Sequence, residues 1–315
     1  MMRFRFLLVL GTLAALTACT DSSSSGDSGT RGTDVGVYRD LGPWDAGVTT
    51  LELADRLVEV WYPVDVADTE GLEPAAYYIR DALSDTLNSL LPDDINPPFI
   101  SDAYRDVRAG SGGPFPLVIF AHGSSSYRNQ SAFLTAHLAS WGFVVASVDY
   151  LERGLGSVFG TEPDPPMDDV ELSRMVVSLL ASENAREGAL LEGHVSTDEI
   201  AITGHSAGGG TSVRFGGEPD VVTFIPLSAG VSSDGTTELP DKPSLWLTGK
   251  TDGIVDAQRT IDAFEQADAP ARLVLIDDMG HLGPSDICTI GDGGGGVIAI
   301  ALEAGLPISE GLQRL

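Results

Sequence analysis

The stretch "DEIAITGHSAGGGTSVRF", residues 198–215, decides the fold. A strand-like run over residues 199–203 meets Gly-His-Ser-Ala-Gly and continues into more glycines and a helix-compatible segment. A sharp strand-to-helix turn leaves no room for a Cβ two residues either side of its serine, and Gly204 and Gly208 occupy those places. We therefore predict that Ser206 presents its hydroxyl from such a turn; an ordinary glycine-rich turn is the alternative.

Outward from this turn, strand-like and helix-like segments alternate along the chain. Continuous apolar runs are typical of strands buried on both faces, and apolar spacing of 3.6 residues is typical of helices. Strands are predicted over residues 115–122, 143–150, 199–203, 221–227, 243–249 and 271–277, and helices over 130–142, 168–183 and 256–267. Residues 48–54 and 56–64 alternate as an N-terminal hairpin would. The order predicts an α/β fold with a mostly parallel central sheet, N-terminal antiparallel strands and helices on both faces.

Residues 65–113 separate the hairpin from the repeated strand and helix units and are less regular. Residues 77–91 have helical spacing of apolar side chains, and the proline-containing residues 92–98 end that pattern. We predict a helix over 77–91. The sequence leaves open whether the segment forms a lid over a pocket or only a connection.

The N-terminus has the composition of an export signal. Arg3 and Arg5 precede an apolar stretch of about ten residues, which is too short for a permanent membrane span. The small residues before Cys19 resemble the lipobox of bacterial lipoproteins, and this resemblance implies that residues 1–18 are removed and Cys19 is lipidated. Residues 19–43 then form a flexible Ser/Gly-rich tether. We expect an exported domain anchored at a membrane surface of the cell envelope; an ordinary signal peptide is the alternative.

The net charge of the chain and its cysteine content limit the ligands and the disulfide partners that we expect. The formal net charge of −28 repels nucleic acid and anionic membrane, so neither is an expected ligand. With Cys19 lipidated, Cys288 has no intrachain partner for a disulfide, and we expect it to be a buried, inert thiol. The oligomeric state is left open.

A serine nucleophile needs a base, and the base needs an orienting acid. His281 is the one histidine that follows Ser206, and it lies in a loop after the last predicted strand. Asp252 follows the strand at residues 243–249, whereas its rival Asp256 begins a helix and would naturally cap it. The chain order Ser206, Asp252, His281, with each residue at the carboxyl end of a strand, predicts a catalytic triad.

A tetrahedral intermediate also needs two backbone N–H donors for its oxyanion. The residue after the nucleophile, Ala207, supplies one, and Ser124 in the loop after residues 115–122 supplies the other; a plain turn at this loop is the alternative. This chemistry requires no metal and no organic cofactor. Tyr127 and Trp246 are close in sequence to the proposed site, but we expect them to belong to the core.

Five segments together resemble successive blocks of the α/β-hydrolase superfamily: "PFPLVIFAHGSSSYRN", "LASWGFVVASVDYLERG", "ITGHSAGG", "LTGKTDGIV" and "GHLG". They are most similar to the branch of platelet-activating factor acetylhydrolases and dienelactone-hydrolase-like esterases. The resemblance covers roughly residues 44–290, and it implies an α/β-hydrolase domain over 44–315.

The same resemblance implies the roles of the site residues. Ser206 would be the nucleophile, His281 the general base and Asp252 the orienting acid, with Ser124 and Ala207 as oxyanion donors. A serine replaces the cysteine of true dienelactone hydrolases, so their substrate does not carry over. The implied activity is hydrolysis of a short-chain or lipid carboxylic ester. A catalytically silent binding module, a peptidase and a cofactor-free haloperoxidase are the alternatives.

Overall fold

The computed structural model describes residues 36–83, 88–89, 96, 98–159, 163, 165–230, 238–268 and 270–289. The chain divides into two units, residues 1–39 and 40–315. The described part of the first unit holds a short 3₁₀ helix, Val37–Arg39. Within the described ranges, no helix has both the length and the apolar character that crossing a bilayer requires. The predicted signal peptide and the lipidation site at Cys19 lie outside the described residues.

A nine-stranded sheet forms the centre of the second unit, in the order β11-β10-β9-β8-β6-β7-β2-β1-β5. The strands are β1 Asp45–Leu53, β2 Arg56–Val64, β3 Ala76–Tyr78, β4 Pro98–Ile100, β5 Ala103–Arg105, β6 Phe115–Ala121, β7 Val144–Val148, β8 Val195–His205, β9 Val221–Leu227, β10 Ser244–Gly249 and β11 Ala271–Ile276. Strand β2 pairs antiparallel with β1 and β7, and the other pairs in this sheet are parallel. The predicted α/β class, with its N-terminal hairpin and mostly parallel sheet, is confirmed.

In the described part of the chain, four helices cover the sheet from both sides: α1 Ala132–Ser140, α2 Asp169–Ala185, α3 Ala207–Gly216 and α4 Ala257–Gln266. Because strand side chains alternate between faces, β6 contributes Ile119 to one core and Phe120 to the other. The first core contains residues of α2, α3 and α4, and the second contains the alanines of α1. This two-sided burial explains why the central strands are almost continuously apolar.

The region between β2 and β6 corrects one prediction. Residues 77–91 were expected to be helical, but Ala76–Tyr78 is strand β3, followed by a 3₁₀ helix at Ile79–Ala82, so no α-helix begins at residue 77. Residues 84–87, 90 and 91 of this range lie outside the described residues. Tyr77 is buried, and its ring packs 5.1 Å from that of Phe99 in β4. Strands β3 and β4 form a separate two-stranded sheet. Packing against an aromatic partner distant in sequence therefore overrode the helical spacing.

Strand β5 extends the main sheet beyond the N-terminal hairpin. It pairs with β1 over Ala103–Arg105, and the backbone N–H of Gly110 then donates to the carbonyl of Pro63 at 2.8 Å. Within residues 65–113, the segment 103–105 thus continues the edge of the main sheet. The proposal that the remainder forms a lid stays a prediction.

Candidate active site

Ser206 lies where β8 meets α3, in a strained backbone conformation. Its φ is 55° and its ψ is −118°, a combination that L-residues rarely adopt. The backbone N–H of Ser206 donates to the carbonyl of Leu227 in β9 at 2.9 Å, which fixes the turn to the neighbouring strand. The side chain does not cap α3, and its hydroxyl makes no hydrogen bond to any other described residue. The turn therefore holds a half-buried hydroxyl that its surroundings do not use.

Glycines make this turn possible. A Cβ on Gly204 would lie 2.3 Å from the carbonyl oxygen of Gly208, and one on Gly208 would lie 2.0 Å from that of Ala121. Both distances are far inside van der Waals contact with backbone atoms, so neither position accepts a side chain. Gly210 differs, because a Cβ there would meet nothing within 4 Å. The glycines that flank Ser206 are steric requirements, whereas Gly210 is not.

His281 and Asp252 are directly hydrogen-bonded. His281 Nδ1 lies 2.8 Å from Asp252 Oδ2, and the side chains are only 6% and 0% exposed. The other carboxylate oxygen of Asp252 accepts from the backbone N–H groups of Ile254 and Val255 at 2.9 and 2.8 Å. Because Oδ2 can only accept, we assign the Nδ1 proton to His281, which leaves Nε2 with a lone pair.

The rival acid has a different task. Asp256 is the N-cap of α4 and accepts from the backbone N–H of Gln258 at 2.9 Å. A carboxylate oxygen at this position satisfies one of the unpaired donors of the helix and favours its positive end. Of the two aspartates after β10, Asp252 is the one that holds His281.

The structure brings His281 to the serine turn through a neighbouring residue. The ring of His205 lies 4.7 Å from the ring of His281, centroid to centroid, and His205 directly precedes Ser206. The Ser206 hydroxyl and the His281 ring are not hydrogen-bonded to each other among the described contacts. Longer separations of this kind are common in ligand-free sites and shorten when substrate binds.

The loop after β6 lies against Ser206. A Cβ on Gly123 would lie 3.4 Å from the Cβ of Ser206, so the two backbones are nearly in contact. The Gly123 N–H is already bonded to Gln130 Oε1 at 2.7 Å, but no acceptor is recorded for the Ser124 N–H among the described residues. Ala207 is the first residue of α3, so its N–H has no intrahelical acceptor. Within the described residues, the N–H groups of Ser124, next to Gly123, and of Ala207, next to Ser206, thus have no protein acceptor.

Sequence reasoning missed the residues that hold this loop. His122 is fully buried: its Nε2 accepts from the backbone N–H of Tyr150 at 2.9 Å, and its Nδ1 bonds the Gly123 carbonyl at 2.8 Å. Burial, with a smaller contribution from Arg153, lowers the pKa of His122 to about 3. The Arg153 guanidinium donates to the His122 carbonyl at 3.0 Å and stacks 4.0 Å above the Tyr150 ring. A neutral buried histidine and a half-buried arginine therefore fix the loop, and neither carries a recognisable sequence motif for this role.

Three further predicted residues have clear positions. Tyr127 and Trp246 are buried, as expected for core residues. Cys288, expected to be buried, is exposed, because the described residues leave its side chain uncovered at this point of the chain after β11. Partial desolvation raises the pKa of its thiol, so it is not an activated thiolate. Within the described ranges, no three metal-ligating side chains cluster as a metal site would require.

The sheet order, the turn at Ser206 and the loops that carry Asp252 and His281 define an α/β-hydrolase. The family model of platelet-activating factor acetylhydrolase, isoform II, matches residues 55–162. The platelet-activating factor acetylhydrolase of Cavia porcellus is 21% identical over 211 residues, which is 54% of this chain and 48% of that protein. The resemblance of the folded domain is confirmed: the chain has an α/β-hydrolase fold and is similar to the platelet-activating factor acetylhydrolases.

The family match covers only part of the candidate site. The family match contains β6, β7 and the loop at Gly123, but it ends at residue 162, before Ser206. The chain spans about half the length of the curated relative that it matches. The catalytic roles that we propose below for Ser206, Asp252 and His281 therefore rest on the geometry of this chain.

Proposed function

We propose that the protein is a serine hydrolase that cleaves carboxylic esters through an acyl-enzyme. The observation that carries the proposal is the 2.8 Å bond between Asp252 and His281, on two separate loops, beside the strained turn that exposes the Ser206 hydroxyl. Hydrolysis of esters is also the chemistry that the name of the related acetylhydrolase describes.

In the acylation step, His281 Nε2 accepts the proton of the Ser206 hydroxyl while the oxygen attacks the ester carbonyl carbon. The carbonyl oxygen becomes an oxyanion, which the N–H groups of Ser124 and Ala207 stabilise. His281 then donates its proton to the alkoxide oxygen of the leaving group, and the ester bond breaks. Asp252 stays ionised, keeps the imidazole in the tautomer described above and stabilises the imidazolium.

In the second step, water replaces Ser206 as the nucleophile. His281 removes a proton from the water as it attacks the acyl-enzyme carbonyl, and the same two N–H groups bind the second oxyanion. Collapse of this intermediate returns the proton to Ser206 and releases the carboxylic acid. The enzyme is regenerated without a metal or organic cofactor.

A panel of p-nitrophenyl esters from acetate to palmitate tests the proposal. We expect wild-type protein to hydrolyse at least one ester and Ser206→Ala to lose about 10⁴-fold or more in kcat, because the whole covalent pathway is removed. The dependence of kcat/KM on acyl length then separates a short-chain from a lipid esterase. No hydrolysis across the panel, or equal rates for Ser206→Ala, would leave the silent binding module as the better account.

We further propose that the enzyme is exported and lipid-anchored at the cell envelope. The basic and apolar N-terminus, the small residues before Cys19 and the polar residues 20–33 support this proposal. Metabolic labelling with an alkyne-bearing fatty acid tests it in an expressing bacterium. We expect the label on wild-type protein and none on Cys19→Ala; a labelled Cys19→Ala variant would contradict the anchor.

The surface charge bears on the substrate. A net charge of −28 favours the approach of neutral or cationic esters over anionic ones. We expect kcat/KM for an anionic ester to rise with added salt, since screening removes the repulsion, while that for a neutral ester of the same acyl length changes little. Equal salt responses for the two esters would contradict this electrostatic preference.

A further inference from the structure

A chain of buried hydrogen bonds connects the loop after β6 to the loop after β11 beneath Ser206. Gly123 N–H bonds Gln130 Oε1 at 2.7 Å, Gln130 Nε2 bonds His205 Nδ1 at 2.5 Å, and His205 Nε2 bonds the His281 carbonyl at 2.7 Å. We propose that Gln130 and His205 form a positioning bridge between two loops: the oxyanion loop after β6, which carries Gly123 and Ser124, and the base loop after β11, which carries His281. The bridge sets these two loops at the correct separation around Ser206. This inference rests on the proposed function.

The direction of every bond in the bridge is determined from its two ends. The Gly123 backbone nitrogen can only donate, so the Gln130 atom facing it is the oxygen and the atom facing His205 is the NH₂ group. The His281 carbonyl can only accept, so His205 carries its proton on Nε2 and a lone pair on Nδ1. Both assignments agree at the Gln130–His205 contact, where an N–H meets a lone pair.

Because the bridge is buried, each of its hydrogen bonds must be made to another group of the protein. Gln130 is 0% and His205 is 2% exposed, so water cannot replace a lost partner. Burial is also the main cause that lowers the pKa of His205 to about 4, and the nearby His281 adds to it. His205 is therefore neutral at physiological pH, which the assigned proton positions require. A charged imidazolium would place a second N–H against the amide NH₂ of Gln130.

The location of the bridge gives it a role that general packing does not have. His205 immediately precedes Ser206, so one side chain links the serine turn, the main chain of His281 and, through Gln130, the residue next to Ser124. Gln130 is itself tied to the base loop, because its carbonyl accepts from the backbone N–H of Asp286 at 2.7 Å. A shift of either loop would change the distance from the oxyanion donors to His281, and displacements near 1 Å in catalytic geometry cost on the order of 10²-fold in rate.

The test uses Gln130→Met, which keeps the length of the side chain and removes its hydrogen bonds, and His205→Phe, which keeps a flat ring. We expect kcat for the best p-nitrophenyl ester to fall about 10- to 100-fold while KM changes less than about 3-fold, because the bridge positions reacting groups and does not bind substrate. The rate of fluorophosphonate labelling at Ser206 should fall in parallel.

Thr260→Val is the matched control. Thr260 is fully buried in α4 and donates one hydrogen bond to the Ala229 carbonyl at 2.8 Å, so the substitution also removes a buried side-chain bond without changing shape. We expect a similar decrease in Tm and no decrease in kcat. An equal decrease of kcat in Thr260→Val would mean that the loss of any buried side-chain hydrogen bond lowers kcat, and it would overturn the inference.

Two further variants keep the test decisive. His205→Gln can still donate toward the His281 carbonyl, so it should recover most of the kcat lost in His205→Phe. Gln130→Met carries the test if the phenylalanine variant does not fold. The double variant Gln130→Met/His205→Phe should lose no more than His205→Phe alone, since one break already opens the bridge. Additive losses, or wild-type kcat in folded Gln130→Met, would overturn the inference.

The outcome is distinguishable from failure of the proposed function. If Ser206→Ala hydrolyses esters as fast as wild-type protein, the proposed function fails whatever the bridge variants do. If Ser206→Ala is inactive and Gln130→Met has the kcat of the wild type, the enzyme stands and only the bridge is wrong.

Discussion

The serine turn and the two loops facing it are built by different forces. Around Ser206, the close approach of backbone atoms of the turn itself and of Ala121 in β6 leaves no space for a Cβ at Gly204 or Gly208. Asp252 and His281 are 29 positions apart and are joined by hydrogen bonds between side chains. Changes in the serine turn should therefore damage the fold, whereas changes in the two loops should damage activity and leave the fold intact.

The largest expected effect belongs to the loops. In Asp252→Asn, one amide oxygen can still accept from Ile254 and Val255, but the amide NH₂ faces His281 and favours the wrong tautomer of the imidazole. We expect kcat to fall about 10⁴-fold with little change in Tm. Ester kinetics and thermal unfolding of the same preparation measure both quantities.

Asp256→Asn is the control for this substitution. It changes the neighbouring carboxylate, and asparagine remains a good N-cap, so stability should change by less than about 1 kcal/mol and kcat should stay near wild type. If Asp256→Asn were the more damaging variant, the assignment of the orienting acid would be wrong.

The next largest effect lies in the serine turn. In Gly208→Ala, the new methyl group would overlap the carbonyl groups of Ala121 and His122, which are backbone atoms and cannot rotate away. We expect a loss of at least about 3 kcal/mol in the free energy of unfolding, at the upper end of overpacking effects. Urea denaturation measures it; a variant as stable as the wild type would show that the turn is not sterically determined.

An intermediate effect concerns pH, because buried neutral histidines connect the two regions. Burial lowers the pKa of His205 to about 4 and that of His122 to about 3. The unfolded chain, with histidine pKa values near 6.5, binds more protons, so this stability is complete above about pH 6.5 and decreases as the pH falls toward 4 and 3. Asp286 acts in the opposite sense, since burial raises its pKa to about 6.

His205→Gln isolates the contribution of one histidine. The stability difference between wild type and variant should decrease by about 2 kcal/mol from pH 7 to pH 5, because only the wild type has an imidazole to protonate. Urea unfolding at both pH values measures the difference. A constant difference would contradict a neutral, buried His205.

The smallest effect is expected in the same run of glycines. Gly210 lies in α3 with open space where a Cβ would project. In Gly210→Ala, higher helix propensity should raise the free energy of unfolding by up to about 1 kcal/mol, with kcat unchanged. Destabilisation of Gly210→Ala comparable to that of Gly208→Ala would mean that the whole glycine run is constrained, not only the positions beside Ser206.

The sequence predicted the elements whose cause is local. Alternating and continuous apolar patterns predicted the hairpin and the central strands. The glycines around Ser206 predicted a sharp turn, because the positions that cannot hold a side chain lie close to the serine in sequence. The positions of Asp252 and His281 followed from topology, since loops at the carboxyl ends of parallel strands meet at one edge of the sheet.

The sequence could not predict what depends on distant contacts. The predicted start of the helix over residues 77–91 was wrong because the Tyr77 ring packs against Phe99, and no local pattern specifies that pairing. Gln130, His122 and Arg153 were missed for the same reason. Their hydrogen bonds join segments that become neighbours only in the folded chain.

Peptide mapping by mass spectrometry after treatment with a fluorophosphonate tests the central claim most directly, because it reports which side chain reacts as a nucleophile. The account predicts a single adduct on Ser206, formed rapidly in wild-type protein, far more slowly in His281→Ala and not at all in Ser206→Ala. An adduct on another residue, or labelling of Ser206 at an unchanged rate in His281→Ala, would contradict it.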